Sequence, residues 1–229
     1  MSTRAYRPVP LALTTLVAVF SALVALALSG GHDARAHEGT SHAPTAQSIT
    51  VKELALRQEM RRLWEDHVTW TRLAVISLTT DAPDTASSVG RLLRNQTEIG
   101  NAVKPFYGVA AGKQLTALLR RHILIAADVI AAAKAGNRDA LAAQQARWNA
   151  NADEIAGFLS GANPRTWKPA AMKSMMRAHL ALTTDEVVAR LQRDWAADVR
   201  AYDRIHRQIL EMADMLSAGL VAQFPRRFA

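Results

Sequence analysis

Apolar side chains recur every three to four residues through most of the chain beyond residue 50, which is the spacing of one buried face on an α-helix. This period predicts helical segments over about 51–80, 85–103, 109–135, 138–160, a shorter one over 169–182, and 183–223 with a break near 193. The strict alternation that marks a half-buried strand does not extend over any useful length of the sequence. The chain is therefore predicted to be all-α.

Residues that interrupt helices separate these segments. An Asp-Ala-Pro-Asp turn occupies 81–84, and Pro105 with Gly108 disfavours a continuous helix between the second and third segments. Gly136 suits the left-handed position after a helix, and the Thr-Thr-Asp-Glu stretch at 183–186 is typical of a cap that starts a new helix. Short connections between amphipathic helices predict an antiparallel four-helix-type bundle with additional short helices.

The beginning of the chain has the features of an export signal. Arg4 and Arg7 form a basic start, an apolar run follows at 11–28, and Ala-Arg-Ala at 34–36 fits a signal-peptidase site. There is no twin-arginine pair in this stretch, so we expect export by the general secretory route. The expected location is the periplasm or the cell exterior.

We accordingly divide the chain into three predicted parts: a signal peptide at 1–36, a flexible polar tail at 37–50 and a helical bundle domain at 51–229. The alternative is an uncleaved signal that anchors the protein, because the apolar run is long enough to span a membrane.

Composition narrows the chemistry that is available. The chain has no cysteine, which excludes disulfides, thiolate catalysis and cysteine-based zinc sites. Its formal net charge is +8, with basic residues spread along the helices in short clusters such as Arg61–Arg62 and Arg120–Arg121. Such a surplus suits an anionic component of the cell envelope, whereas no basic stripe indicates a nucleic-acid partner. Nothing in the sequence predicts the oligomeric state.

Polar residues on the apolar faces suggest a buried centre. Four histidines, each on a different predicted helix, fall on or beside the buried face: His67, His122, His179 and His206. A bundle can bring such residues together, and imidazole binds Cu, Zn, Fe and Ni. We therefore take these histidines as candidate metal ligands, with Asp198 and Asn151 in support. The alternatives are a polar core network without metal, or a pocket for a ligand that is not a metal.

Familiar catalytic and metal motifs are absent from the sequence. It contains no Glu-x-x-His pair of a di-iron bundle, no His-x-x-x-His and no His-Glu-x-x-His. We therefore expect an extracytoplasmic binding protein, with a transition metal at the histidine centre, rather than an enzyme. The alternative is a non-catalytic interaction or structural protein of the cell envelope that uses its basic surfaces.

Several segments together resemble an uncharacterised family of small bacterial helical proteins, over most of 56–228. The segments are Leu63 to Arg72 (LWEDHVTWTR), Pro105 to Gly108 (PFYG), Trp148 to Ala156 (WNANADEIA), His179 to Thr183 (HLALT), Met212 to Asp214 (MAD) and Gln223 to Pro225 (QFP). Some members of that family are labelled acetylglutamate kinases. This sequence has neither a Gly-rich phosphate loop nor a strand–helix alternation, so the resemblance implies no kinase activity.

Overall fold

The computed structural model describes residues 49–229; the predicted signal peptide and nearly all of the predicted polar tail lie outside them. The elements are α1 (Val51–Thr80), α2 (Thr85–Lys134), α3 (Arg138–Ala162), α4 (Pro169–Gln192), α5 (Trp195–Gln223) and a closing 3₁₀ turn (Pro225–Arg227). The described residues contain no strand, so the predicted all-α bundle is confirmed. No helix in this part of the chain combines the length and the apolar character needed to cross a membrane.

Local chemistry sets the ends of the helices. Thr50 caps α1, since its hydroxyl accepts a hydrogen bond of 3.2 Å from the amide of Glu53. The chain leaves α1 through Asp81 and leaves α4 through Arg193, both in left-handed backbone conformations with φ of 53° and 61°. Gly136 has φ of 65° between α2 and α3, where a residue without Cβ is favoured. The predicted breaks at these places are confirmed.

Helix α2 is bent back on itself at Gly108. This residue has φ of 85° and ψ of 170°, far outside the helical region, and it divides α2 into a first limb (85–107) and a second limb (109–134). The two limbs approach closely: a Cβ added to Gly100 would lie 2.6 Å from the carbonyl oxygen of Gly112. Arg120 of the second limb donates a hydrogen bond of 3.1 Å to the Leu93 carbonyl of the first. The limbs are therefore antiparallel neighbours, as the predicted break required.

The helices form three successive hairpins. The first hairpin is α1 with the first limb, the second is the second limb with α3, and the third is α4 with α5. Helix α3 also packs on α4, and α1 packs on α5, so the hairpins form a closed up-and-down bundle. Each helix buries its apolar face toward the interior of that ring.

One predicted break is wrong. The cap expected at 183–186 does not form, because α4 continues without interruption to Gln192. Thr183 instead donates its hydroxyl to the His179 carbonyl one turn earlier, at 2.9 Å, which keeps the hydroxyl satisfied inside the helix. Glu186 is buried and bonded to Arg72 of α1 at 2.7 Å. A tertiary partner thus outweighs the local capping preference.

Candidate functional site

Three histidines from the three hairpins meet in the centre of the bundle. His67 lies on α1, His122 on the second limb of α2 and His179 on α4, and all three are buried. The ring centroid of His179 lies 5.9 Å from that of His67 and 6.5 Å from that of His122. All three rings line one cavity. We call His67, His122 and His179 the histidine centre.

The cavity is small and its walls are mostly apolar. Its volume is about 30 Å³, which is enough for one water molecule or one ion. Its lining consists of the three histidines and thirteen hydrophobic residues. All five α-helices contribute, and the α4 residues lie in the N-terminal half of that helix. Trp167, in the loop between α3 and α4, is buried against Gly219 of α5 and forms part of the wall.

Each histidine of the centre is hydrogen-bonded to a side-chain amide on the partner helix of its own hairpin. The Nδ1 atoms of His67, His122 and His179 pair with Gln96 (3.2 Å), Asn151 (2.8 Å) and Gln208 (3.1 Å). The amide follows its histidine by 29 residues in all three cases. The histidines themselves are 55 and 57 residues apart. The centre is therefore built three times from one hairpin plan.

The same plan extends along the first helix of every hairpin. Residues four and seven positions apart share a helix face, and here they present the same types of side chain to the interior. The corresponding sets are Met60, Trp64 and His67; Leu115, Leu119 and His122; and Met172, Met176 and His179. All of these except Met172 line the cavity. In the sequence, only one part of this plan is plain: each histidine is followed four residues later by Thr or Ala.

The amides are themselves held in place. Asn151 and Gln208 each donate a second hydrogen bond of 3.3 Å to the backbone carbonyl four residues before the histidine they serve. In the first hairpin this task belongs to Asn95, which donates to the Leu63 carbonyl at 2.9 Å, while the neighbouring Gln96 contacts the ring. The second helix of each hairpin thus fixes both the position and the ring orientation of the histidine.

The rings are neutral at physiological pH. Burial lowers the pKa of His67 and of His122 to about 3, with the neighbouring imidazoles adding to the effect, and burial lowers the pKa of His179 as well. For His122 and His179 the partner is an amide oxygen, so Nδ1 carries the hydrogen and Nε2 carries the lone pair. Neutral imidazole with Nδ1–H held by an oxygen is the form that binds metals through Nε2.

His67 differs in one respect. Gln96 places its nitrogen against His67 Nδ1, and the same nitrogen also faces the Leu92 carbonyl at 2.9 Å. The Gln96 oxygen has no hydrogen-bond partner among the described residues. An amide nitrogen can only donate, so Nδ1 accepts here and the hydrogen of the neutral His67 ring lies on Nε2. Turning the amide by 180° would bring its oxygen to His67 Nδ1, but it would also place that oxygen against the Leu92 carbonyl at 2.9 Å and Asn95 Oδ1 at 3.1 Å.

Two tryptophans beside the centre have unpaired indole groups. Trp64 lies edge-on to His67 with ring centroids 5.5 Å apart, and Trp148 lies 5.4 Å from His122. Their Nε1 atoms are buried and have no hydrogen-bond partner within residues 49–229. Unpaired buried donors are uncommon in folded proteins, and each costs about 1–3 kcal/mol. The surroundings of the centre are therefore less completely satisfied than an ordinary core.

The other residues predicted as ligands lie elsewhere, with one exception. Asn151 belongs to the centre, where it orients His122. His206 is half-exposed and pairs with Glu65 at 2.7 Å, and it does not line the cavity. Asp198 is buried but bonds to Arg72 at 3.0 Å. The structure thus brings three of the four histidines together and separates His206 and Asp198 from them.

Asp198 belongs to a buried ionic network that the sequence did not indicate. Arg72 bonds to Glu186 and to Asp198, and Arg190 bonds to Asp198 at 3.1 Å. Tyr202 stacks on Arg72, with the guanidinium 4.6 Å from the ring centroid. Burial raises the pKa of Glu186 to about 7, against the opposing effect of Arg72. Glu186 follows His179 by seven residues, so the network lies two turns along the same face of α4, about 10 Å away.

The glutamines of the centre were missed as functional candidates, and the methionines near His179 were interpreted as core packing. Gln96 and Gln208 show no motif of their own, and only the constant separation from a histidine would have indicated them. In the described part of the chain, no group of three His, Asp or Glu side chains, the histidine centre included, is arranged so that it could hold a metal ion without rearrangement. The role of His67, His122, His179, His206, Asp198 and Asn151 as metal ligands therefore stays a prediction.

Comparisons with known proteins found no match for this chain among protein-family models, curated proteins or solved structures.

Proposed function

We propose that the protein is an exported binding protein that holds a transition-metal ion at the histidine centre. The observation that carries the proposal is the threefold arrangement of buried, neutral imidazoles, each with Nδ1 paired to an anchored amide. Metal-binding histidines in proteins use one ring nitrogen for the ion and the other for a hydrogen bond that fixes the ring. His67, His122 and His179 are the proposed ligands, with Gln96, Asn151 and Gln208 as their orienting partners.

The spacing of the rings is close to what coordination needs. With metal–nitrogen bonds of about 2.0–2.1 Å, the centroids of two ligating imidazoles lie roughly 5–5.5 Å apart. The observed separations of His179 from His67 (5.9 Å) and from His122 (6.5 Å) exceed this range by roughly 0.5–1.5 Å. Binding therefore requires the rings to move inward and the Gln96 amide to turn, which breaks its hydrogen bonds to the Leu92 carbonyl and to Asn95.

Export is the second part of the proposal. Its support is the basic start, the apolar run at 11–28 and the Ala-Arg-Ala site at 34–36. Mass spectrometry of the protein from the extracytoplasmic fraction should give the mass of a chain that begins at His37. A full-length mass in the cytoplasm would contradict this part without bearing on the metal.

The metal is tested by content and by substitution. We expect the purified, untagged protein to retain or take up a stoichiometric transition-metal ion, measured by inductively coupled plasma mass spectrometry after desalting. His122→Leu and His179→Leu should lose it, because each removes one ligand while keeping an apolar volume close to that of the ring. His206→Leu is the matched control and should keep the metal, since His206 lies outside the centre.

Circular dichroism on each variant distinguishes loss of the site from loss of the fold. Unchanged metal content in folded His122→Leu and His179→Leu would contradict the proposal. The absence of uptake by the wild-type protein, offered Cu, Zn, Fe and Ni in turn, would also contradict it and would favour a polar core network.

A further inference from the structure

The histidine centre contains no negative charge to balance a cation. None of the described residues that line the cavity is acidic. The groups that pair with the ring Nδ1 atoms are the neutral amides of Gln96, Asn151 and Gln208, where metal-binding histidines often have a carboxylate. A cation bound here keeps its whole charge inside an apolar environment.

The missing counter-charge favours monovalent over divalent ions. The free energy of placing an ion in a medium of low dielectric constant rises with the square of its charge, so a monovalent ion pays about a quarter of the desolvation cost of a divalent ion of the same size. Divalent zinc, iron or nickel would need a compensating anion inside a cavity with about 30 Å³ of room. A monovalent ion needs none.

The neighbouring side chains favour soft, polarisable metal ions over hard ones. Met60, Met176 and Met212 line the same cavity as the three imidazoles. Met60 precedes His67 by seven residues and Met176 precedes His179 by three, so both lie on the helix faces that carry the histidines. Thioether sulfur is a polarisable donor that favours copper(I) over zinc and other harder ions, and imidazole accepts copper as well.

We infer that the histidine centre takes copper(I), and its redox-inert analogue silver(I), in preference to divalent transition metals. The imidazoles supply the ligating nitrogens, and the three methionines supply soft sulfur around them. This inference rests on the proposed function, because it names the ion that the same centre would hold.

Competition titrations test the preference. Anaerobic copper(I) buffered with bicinchoninate, silver(I), zinc(II) and copper(II) would each be titrated into the metal-free protein. We expect the dissociation constants of copper(I) and silver(I) to be at least 100-fold lower than that of zinc(II). Zinc(II) binding as tightly as copper(I) would overturn this inference while leaving the proposed function intact. Binding of no metal at all would overturn both.

Two variants with controls separate charge from softness. Gln208→Glu adds a carboxylate beside His179, and we expect it to reduce the silver(I)-to-zinc(II) preference about tenfold. Gln114→Glu adds the same charge at an exposed position and should leave the preference unchanged. Met176→Leu should weaken silver(I) binding several-fold with little change for zinc(II), whereas Met172→Leu, a buried methionine outside the cavity lining, should weaken neither. Equal effects within each pair would overturn the inference.

Discussion

Three imidazoles enclosed by apolar side chains make the stability of the metal-free protein depend on pH. The folded protein keeps His67 and His122 neutral down to a pKa of about 3, whereas in the unfolded chain a histidine becomes charged near pH 6.5. The unfolded state therefore binds more protons as the pH falls below 6.5, and each such proton favours unfolding by about 1.4 kcal/mol per pH unit. The stability that these residues contribute is complete above pH 6.5 and is lost as the pH falls toward 3.

We therefore expect the free energy of unfolding of the metal-free protein, measured by urea titration, to fall steeply between pH 6.5 and pH 4. His122→Leu should make this dependence shallower by about one proton, because it removes one group that must stay neutral. A wild-type slope no steeper than that of His122→Leu would contradict the expectation.

Glu186 has the opposite effect on the pH dependence of stability, between about pH 4.5 and pH 7. Its pKa in the folded protein is raised to about 7 from an ordinary 4.5, chiefly by burial. The folded state therefore holds this proton more tightly, and the associated stability is present at low pH and lost as the pH rises from 4.5 through 7. Glu186→Gln should consequently steepen the loss of stability on acidification, because the offset from this carboxyl disappears.

Helical periodicity was enough to place the histidines on buried faces but not to place them together. His67, His122 and His179 follow apolar residues by three or four positions, so their inward direction could be predicted. Their partners could not, because an amide 29 residues away becomes a neighbour only through the register of a hairpin. His206 stands at the edge of its apolar face, where a pattern cannot distinguish a ring in the core from one paired with Glu65.

At the scale of elements, the turn within α2 depends on two glycines that meet. A Cβ at Gly100 would lie 2.0 Å from the Thr116 hydroxyl oxygen and 2.6 Å from the Gly112 carbonyl oxygen. Either separation is too short for a carbon atom, so a side chain here would push the two limbs apart. The close approach keeps His122, on the second limb, within the same bundle interior as the first limb.

Alanine at two glycines of the first limb should therefore have opposite effects. Gly100→Ala should lower the free energy of unfolding by about 1–3 kcal/mol, the usual cost of overpacking a tight interface. Gly90→Ala adds the same methyl group where nothing lies within 4 Å, and it should raise stability by up to about 1 kcal/mol through helix propensity. Urea unfolding of both variants measures the difference. Similar effects from the two substitutions would show that the limbs are not tightly packed.

The sequence predicted elements best where a backbone requirement marks their ends. Gly108 and Gly136 indicated the breaks at the two ends of the second limb, and the structure has them, whereas Pro105 lies inside the first limb, which continues past the predicted end at 103. The failure at 183–186 has the converse cause: residues that favour a cap in isolation have tertiary or intrahelical partners instead, as Thr183 and Glu186 show. Local preference is decisive only where no distant partner competes with it.

At the scale of the whole molecule, the two ends of the bundle domain meet. The Thr50 hydroxyl donates to the Phe228 carbonyl at 2.7 Å, and Lys52 donates to the carbonyl oxygen of Ala229 at 2.7 Å. Helix α1 also packs on α5, so the first and last helices of the bundle are neighbours. The packing of the helices therefore does not require the chain to begin with α1. The connection at Ala135–Asn137 is exposed and offers an alternative opening.

A circular permutant should therefore fold. Joining Ala229 to Thr50 through a short Gly/Ser linker and opening the chain between Ala135 and Gly136 keeps every helix intact. We expect the helical circular dichroism signal of the bundle and a cooperative thermal transition within several degrees of that of 49–229. A permutant with the same linker, opened inside α1 between Val68 and Thr69, is the control and should not fold. Failure of both would mean that the order of the hairpins matters for folding.

The equal spacing of histidine and amide in the three hairpins gives the protein an internal replicate. One chemical change, amide to carboxylate or amide to hydrocarbon, can be made separately at Gln96, Asn151 and Gln208 in a single background. The mean of the three results would measure what the change does to a histidine of the centre, and their spread would measure how much the surroundings of each copy modify that effect. Few buried centres allow chemistry and context to be separated within one molecule.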